Sequence, residues 1–330
     1  MLPYIDMHCD TLSRTLRLGR TAIEQDPRSM VDIERLRDAG VRAQFFAMFL
    51  LNDAVPENAD RFFDRRLRSG EEQVDGMLNV FAETLKAYPD VLAPCRTFSD
   101  YLRNAADGKT SAILTVEDGY TVRSMENLAY LFDNGVRLIT MTWNYENSLG
   151  FPNSSDPELM RKGLKPFGLE VVERMNELGI LVDVSHLSDG GFYDVARVSK
   201  KPFVASHSCC RALASHQRNL TDEMIRILAD LGGAIGINFC PPFLTDDGKL
   251  VSRVEDMCRH IEHMRQTGGE DVIAIGTDFD GIGGTLEVGS PVEMERLFDA
   301  LKKRCGYTAR LMDKFTCGNV ERVLEACLPA

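Results

Sequence analysis

The chain has 330 residues, 44% of them hydrophobic and 27% charged, proportions of an ordinary soluble globular protein that exclude disorder, collagen-like repeats and disulfide miniproteins. Its 50 Asp and Glu against 38 Lys and Arg give a formal charge of -12, a field that repels phosphate backbones and anionic membrane surfaces, so no nucleic acid and no membrane is expected as a partner. The longest uncharged stretch, Leu231 to Thr245, has 15 residues with three glycines and two prolines, short of the ~20 apolar residues of a bilayer span.

In chain order, short apolar and β-branched runs occur at Tyr4 to His8, Val41 to Leu50, Ser111 to Val116, Val136 to Trp143, Ile180 to His186, Pro202 to His207, Gly233 to Phe239 and Val272 to Thr277. Most are apolar throughout rather than alternating, as parallel strands covered on both faces require. Helix-like segments lie between them: Glu71 to Tyr88, Ser124 to Asn134, Asp156 to Leu178, Leu220 to Asp230 and Val251 to Gln266. In the fourth of these, Thr221 precedes Asp222 and Glu223, and Met224, Ile227 and Leu228 form the apolar stripe of an amphipathic helix. Eight strands alternating with helices predict an α/β fold of the (β/α)8 TIM-barrel type, with a doubly wound sheet as the rival. Neither GxGxxG nor GxxxxGK[ST] occurs to support that rival as a nucleotide binder. No linker or repeat divides the chain, so one domain over residues 1–330 is expected, with a long β/α insertion around 51–110.

In such a barrel the C-terminal strand ends share one mouth. Strand one ends in His8-Cys9-Asp10, strand three in Glu117-Asp118-Gly119, strand five in Ser185-His186, strand six in Ser206-His207-Ser208, and strand eight in Asp278-Phe279-Asp280-Gly281. Residues two apart on a strand share a face, so His8 and Asp10 can aim at one point while Cys9 turns away. With Glu117, His186 and His207 they make a set of three imidazoles and two carboxylates, which suits zinc or a similar first-row ion. Five ligands exceed one open tetrahedral site and suit two metals ~3.5–4 Å apart sharing a carboxylate and a water. Each residue also has a structural reading: His186 and His207 as hydrogen-bonded core histidines, Glu117 as a helix cap, Asp278 and Asp280 as turn formers. His216, His260 and His263 fall on helical or loop stretches and read as surface residues or supports of the ligands.

These residues, in this order, resemble the membrane (renal) dipeptidase family of zinc peptidases within the amidohydrolase-like barrels. The resemblance spans nearly the whole chain and rests on DMHCDT at 6–11, TVEDG at 115–119, VDVSH at 182–186, ASHS at 205–208, RN at 218–219 and IGTDFDG at 275–281. It implies that His8, Asp10 and Glu117 hold one zinc, that Glu117, His186 and His207 hold the second, and that Asp278 is the catalytic aspartate. Arg218 matches the arginine that grips the free carboxylate of a dipeptide, a role for which a planar guanidinium fork is suited. One departure stands out: where the family commonly carries a histidine in a TxTH pattern, this chain reads Thr140-Met141-Thr142-Trp143-Asn144. Asn144 is then a candidate amide donor to the substrate, and Trp143 either walls the pocket or fills core.

The resulting expectation is a metal-dependent dipeptidase in which a metal-bridging hydroxide attacks the peptide carbonyl and Asp278 carries the proton to the leaving amine. By resemblance, a D-residue is accepted at the C-terminal position and the protein is a homodimer. The alternatives are hydrolysis of N-acyl-D-amino acids or cyclic amides on the same barrel, which Trp143 keeps open, and a non-catalytic metal- or ligand-binding relative. Met1 to Asp10 holds two acids and no Lys or Arg, unlike a secretory signal, and the last residues, 325–330, lack the hydrophobic tail of a lipid-anchor signal. Nine cysteines without a CxxC spacing read as reduced thiols, the adjacent Cys209 and Cys210 as small core fillers, and a cytoplasmic location is expected.

Overall fold

The computed structural model describes residues 2–51 and 69–329. Eight strands make the barrel: β1 (Tyr4–Cys9), β2 (Val41–Phe49), β3 (Thr110–Glu117), β4 (Val136–Thr140), β5 (Leu181–Asp183), β6 (Val204–Ser208), β7 (Ala234–Ile237) and β8 (Ile273–Ile275). Each pairs in parallel with its sequence neighbours. The β3 register runs from Ala43↔Ser111 to Phe49↔Glu117 on one side and reaches Glu117↔Thr140 on the other. Asp6↔Ile275 joins β1 to β8 and closes the ring. Every predicted run overlaps one barrel strand, because nearly every residue of these strands is buried on both faces.

Among the strands that stop short of the ends of their apolar runs are β5 and β8. β5 ends at Asp183 and β8 at Ile275, and three residues beyond each end the chain enters the left-handed region, at His186 (φ 67°) and Asp278 (φ 62°). A side chain bearing a Cβ rarely adopts that conformation, and its occurrence at both positions marks a place where the backbone is bent to aim a group.

The predicted helix over Asp156–Leu178 is broken into Pro157–Met160 and Pro166–Leu178. Pro166 has no N–H to continue a helix and disfavours helical backbone in Lys165, so it opens a new helix instead. Asp222–Asp230 links β6 to β7 as expected, with Thr221 Oγ1 accepting from the Met224 N–H at 3.2 Å. Between β2 and β3 lie the helix Gly70–Ala87, capped by Ser69 and Glu72, a short strand Leu92–Pro94 on the edge of β3, and the helix Phe98–Ala106. The rest of the insertion expected there, residues 52–68, lies outside the described residues.

The helix Asn319–Cys327 sends Val320, Val323 and Leu324 into one apolar cluster with Ile5, Ala43, Leu181, Val204, Ala234 and Ala274, which stand near the N-terminal ends of their strands. That end of the barrel is therefore packed shut, and the opposite end is left for chemistry. No helix among the described residues is long and apolar enough to cross a membrane.

Candidate active site and metal centre

At the C-terminal mouth, the side chains predicted as ligands converge on Glu117. Its Oε2 lies 3.2 Å from His8 Nε2, and its Oε1 lies 3.0 Å from His186 Nε2 and 3.5 Å from His207 Nε2. Asp10 Oδ2 is 3.7 Å from His8 Nε2, and Asp278 Oδ1 is 4.0 Å from the same nitrogen. All five predicted ligands are buried. Two triads with ligand atoms close enough to share an ion, His8–Asp10–Glu117 and Glu117–His186–His207, have Glu117 in common, and a third joins His8, His207 and Asp278.

Hydrogen bonding fixes which face of each imidazole is available. Ser206 Oγ donates to Asp183 Oδ2 at 2.6 Å, because a carboxylate can only accept. The hydroxyl proton being used, His207 Nδ1 at 2.7 Å must donate to Ser206 Oγ, which leaves a lone pair on Nε2. His186 Nδ1 likewise donates to Asn144 Oδ1 at 3.0 Å. The two Nε2 atoms then face each other at 3.1 Å as lone pair against lone pair, a repulsive contact unless a cation lies beside both. Both ring nitrogens of His8 and Oδ1 of Asp10 are buried without hydrogen-bond partners. Orphaned donor atoms of this kind, around a carboxylate, fit divalent cations with imidazole and carboxylate ligands.

Electrostatics separates the histidines. Burial, reinforced by Arg218 and His8, holds His186 and His207 well below the ordinary imidazole pKa, so both rings are neutral, the form in which an imidazole can bind a metal. Burial also pulls His8 down, but the charges of Glu117 and Asp10 outweigh it and hold its pKa well above the ordinary value. Burial pushes Glu117 up to about 7 and Asp278 up to about 6, with Asp10 adding to both and His8 opposing both. Packing anionic oxygens this closely in a buried site is costly without positive charge among them.

A cavity of about 390 Å³ opens over this cluster, lined among others by Asp10, Glu117, His186, Asp278, Trp143 and Asn144. Trp143 is thus a wall residue: its ring lies 4.8 Å from Phe49 and 6.3 Å from His186. Asn144 lines the same cavity, although its carbonyl oxygen is engaged by His186 rather than presented to a ligand. Arg218 is buried behind β6, with Nη1 donating to Ser208 Oγ and Nη2 to the His207 carbonyl, both at 3.0 Å. Its Nε has no hydrogen-bond partner, and its guanidinium lies 5.7 Å from the ring of Phe243, which lines the cavity.

Several contributors were not singled out from the sequence. Asn238 donates to Asp278 Oδ2 at 2.9 Å and so holds the side chain over the cluster. At Gly281 a Cβ would stand 2.0 Å from Asp10 Oδ2 and 2.5 Å from Asp278 Oδ1, so only glycine lets the loop pass over these carboxylates. Asp280 accepts from the Met30 N–H and Thr11 Oγ1, each at 2.7 Å, so its side chain ties the last strand's loop to the start of the chain rather than shaping its own turn. His260 is not a surface residue: it is buried, with Nδ1 accepting from the Cys210 N–H and Nε2 donating to the Leu244 carbonyl, each at 3.0 Å.

Comparison with known proteins agrees with this geometry. The family model described as membrane dipeptidase, peptidase family M19, matches residues 1–328. The chain belongs to that family. Among solved structures, a dipeptidase described as a metallo peptidase of family M19 superposes with a TM-score of 0.86 at 27% identity, covering 100% of this chain and 99% of that one. A metallo peptidase from Rhodobacter sphaeroides, liganded with a phosphinate mimic of the dipeptide L-Ala-D-Ala, gives a TM-score of 0.86 at 28% identity over 99% of each chain. An uncharacterised dipeptidase of Schizosaccharomyces pombe is 30% identical over 82% of this M19 chain, which spans 65% of that protein's length.

Proposed function

We propose that this M19 protein is a metal-dependent dipeptidase that hydrolyses the peptide bond of free dipeptides, including those with a D-residue at the C-terminal position. The observation that carries the reading is the pair of triads sharing Glu117 beneath a cavity of dipeptide size, in a chain of this family. Support for D-residues comes from the Rhodobacter relative, whose ligand mimics L-Ala-D-Ala.

In this reading His8, Asp10, Glu117, His186 and His207 hold two divalent cations, zinc by their ligand types. When bound, such cations polarise a peptide carbonyl and lower the pKa of water towards ~7. Asp278 takes a proton from the attacking water and passes it to the amine as the C–N bond breaks; Asn238 keeps its carboxylate turned to the cluster. Arg218 binds the substrate carboxylate with the donors that Ser208 and the His207 carbonyl leave free. Trp143 and Asn144 bound the substrate on the far side. A cytoplasmic setting belongs to the same proposal, supported by nine free cysteines.

The test is hydrolysis of an L,L and L,D dipeptide library by zinc-loaded protein, with metal content measured on the same sample. About two metals per chain with cleavage of L,D dipeptides is the expected result. Two metals without cleavage of any dipeptide would sink the proposal and turn attention to N-acyl amino acids and cyclic amides.

A further inference from the structure

Two buried carboxylates stand on strands opposite one another in the ring, Asp6 on β1 and Asp183 at the end of β5. They are bonded alike. Asp183 accepts from the Ser185 N–H at 3.0 Å, from the Ser206 N–H and Oγ at 2.9 and 2.6 Å, and from Thr140 Oγ1 at 2.7 Å. Asp6 accepts from the His8 N–H at 3.3 Å, from the Thr277 N–H and Oγ1 at 2.9 and 2.7 Å, and from Gln44 Nε2 at 3.1 Å. Each carboxylate thus grips both the backbone and the hydroxyl of a residue that precedes a functional side chain: Ser206 before His207, Thr277 before Asp278.

We infer that Asp6 is a positioning residue for catalysis: acting through Thr277, it sets the bend that aims the Asp278 carboxylate over the cluster. The inference rests on the dipeptidase reading above, in which Asp278 carries the proton. Every partner of Asp6 is a donor, so the single proton of the Thr277 hydroxyl goes to the carboxylate. The hydroxyl oxygen then accepts from the Phe279 N–H at 3.2 Å. It therefore bridges across Asp278 and closes the chain around it, where the backbone takes its left-handed value of φ 62°. Two further bonds tie this bend to β1: the Asp278 N–H donates to the His8 carbonyl at 3.2 Å, and the Asp10 N–H to the Phe279 carbonyl at 2.8 Å. Asp278 is thus located relative to His8 and Asp10 by one continuous set of bonds whose buried end is Asp6. A reacting group misplaced by ~1 Å loses about 100-fold in rate, so small slackening of this set is enough to be measured.

The test is kinetic, on zinc-loaded protein with metal content measured on the same samples, using whichever dipeptide of the library above the unmodified protein cleaves fastest. Thr277→Val keeps the side-chain volume and the backbone bond to Asp6 but removes the hydroxyl. It should lower kcat at least ~10-fold with KM and metal content unchanged, and Thr277→Ser should restore kcat. Asp6→Asn should lower kcat at least as far; the two Thr277 variants decide the matter if it does not fold. The second measurement places Thr277→Val in the Asp278→Asn background, where the proton carrier is already gone. A residue that acts only through Asp278 then causes no further loss, whereas one that merely supports the barrel causes the same loss again. Native kcat in Thr277→Val, loss of its metal, failure of Thr277→Ser to restore kcat, or additive losses each overturn this inference and leave the dipeptidase reading standing. Cleavage of no dipeptide by the unmodified protein overturns both.

Discussion

Ser206 Oγ lies 2.7 Å from Nδ1 of His207, and the same oxygen donates to Asp183 Oδ2 at 2.6 Å. This relay dictates the tautomer of His207 and turns Nε2 towards Glu117. Partners behind a metal-binding histidine typically contribute 10–100-fold in metal affinity. Ser206→Ala should therefore weaken zinc binding by about that factor at one of two sites, in a competition titration against a chromophoric chelator. Asp183→Asn should do the same, since an amide no longer enforces the direction of the Ser206 proton. Unchanged affinity for both metals in both variants would show that the relay does not act on the ligand.

Asp278 has two possible uses, because its carboxylate serves either as proton carrier or, with His8 and His207, as a further ligand. Asp278→Asn separates them. We expect metal stoichiometry to remain at the native value while kcat falls by roughly 10²–10⁴, the usual contribution of a general acid–base group. A variant that loses one metal per chain would make Asp278 a ligand instead.

Arg218 is tested by substrate comparison rather than by loss of activity. Removing a guanidinium that binds the substrate carboxylate should raise KM for a dipeptide far more than KM for the corresponding dipeptide amide. For Arg218→Ala we expect about 10- to 100-fold in the first and little in the second, the size of a charge-assisted hydrogen bond of ~1.5–3 kcal/mol. Equal effects on acid and amide would confine Arg218 to supporting Ser208 and the His207 carbonyl.

The barrel and the candidate site were legible for different reasons. Runs such as Ser111 to Val116 and Gly233 to Phe239 announce strands because burial on both faces leaves few polar positions and no charged one. The candidate ligands could be picked out because His8, Glu117 and His207 stand at or beside strand ends, where chain position translates into height in the barrel. His186 and Asp278 lie past their strands, in left-handed backbone that an apolar pattern cannot indicate. Supporting residues were hidden for another reason: Ser206 meets Asp183 only because β5 and β6 pair in the register Asp183↔Val204, and register is not written locally. His260 does carry a signal in the sequence, since Met257, His260, Ile261 and Met264 form one stripe of the helix Val254–Gly268 and all four are buried.

That buried histidine makes stability depend on pH. Nδ1 of His260 accepts a backbone hydrogen bond from Cys210 while Nε2 donates to Leu244, a pattern available only to the neutral ring. Burial accordingly pushes its pKa down from 6.5 to about 4. Between these values the unfolded chain binds a proton that the folded chain refuses, so stability rises with pH across the window and is lost as pH falls from 6.5 towards 4. At ~1.4 kcal/mol per pH unit the full window corresponds to about 3 kcal/mol. Other groups titrate here too, so the measurement is a difference: urea unfolding of metal-free native protein and of His260→Gln at pH 7, 6, 5 and 4. The variant should be less stable at pH 7, where its amide replaces the ring imperfectly, and the gap should narrow by about 3 kcal/mol on reaching pH 4. A gap that stays constant over the series would mean that the folded protein takes up the ring proton as readily as the unfolded chain, so that the Cys210 contact does not hold the ring neutral.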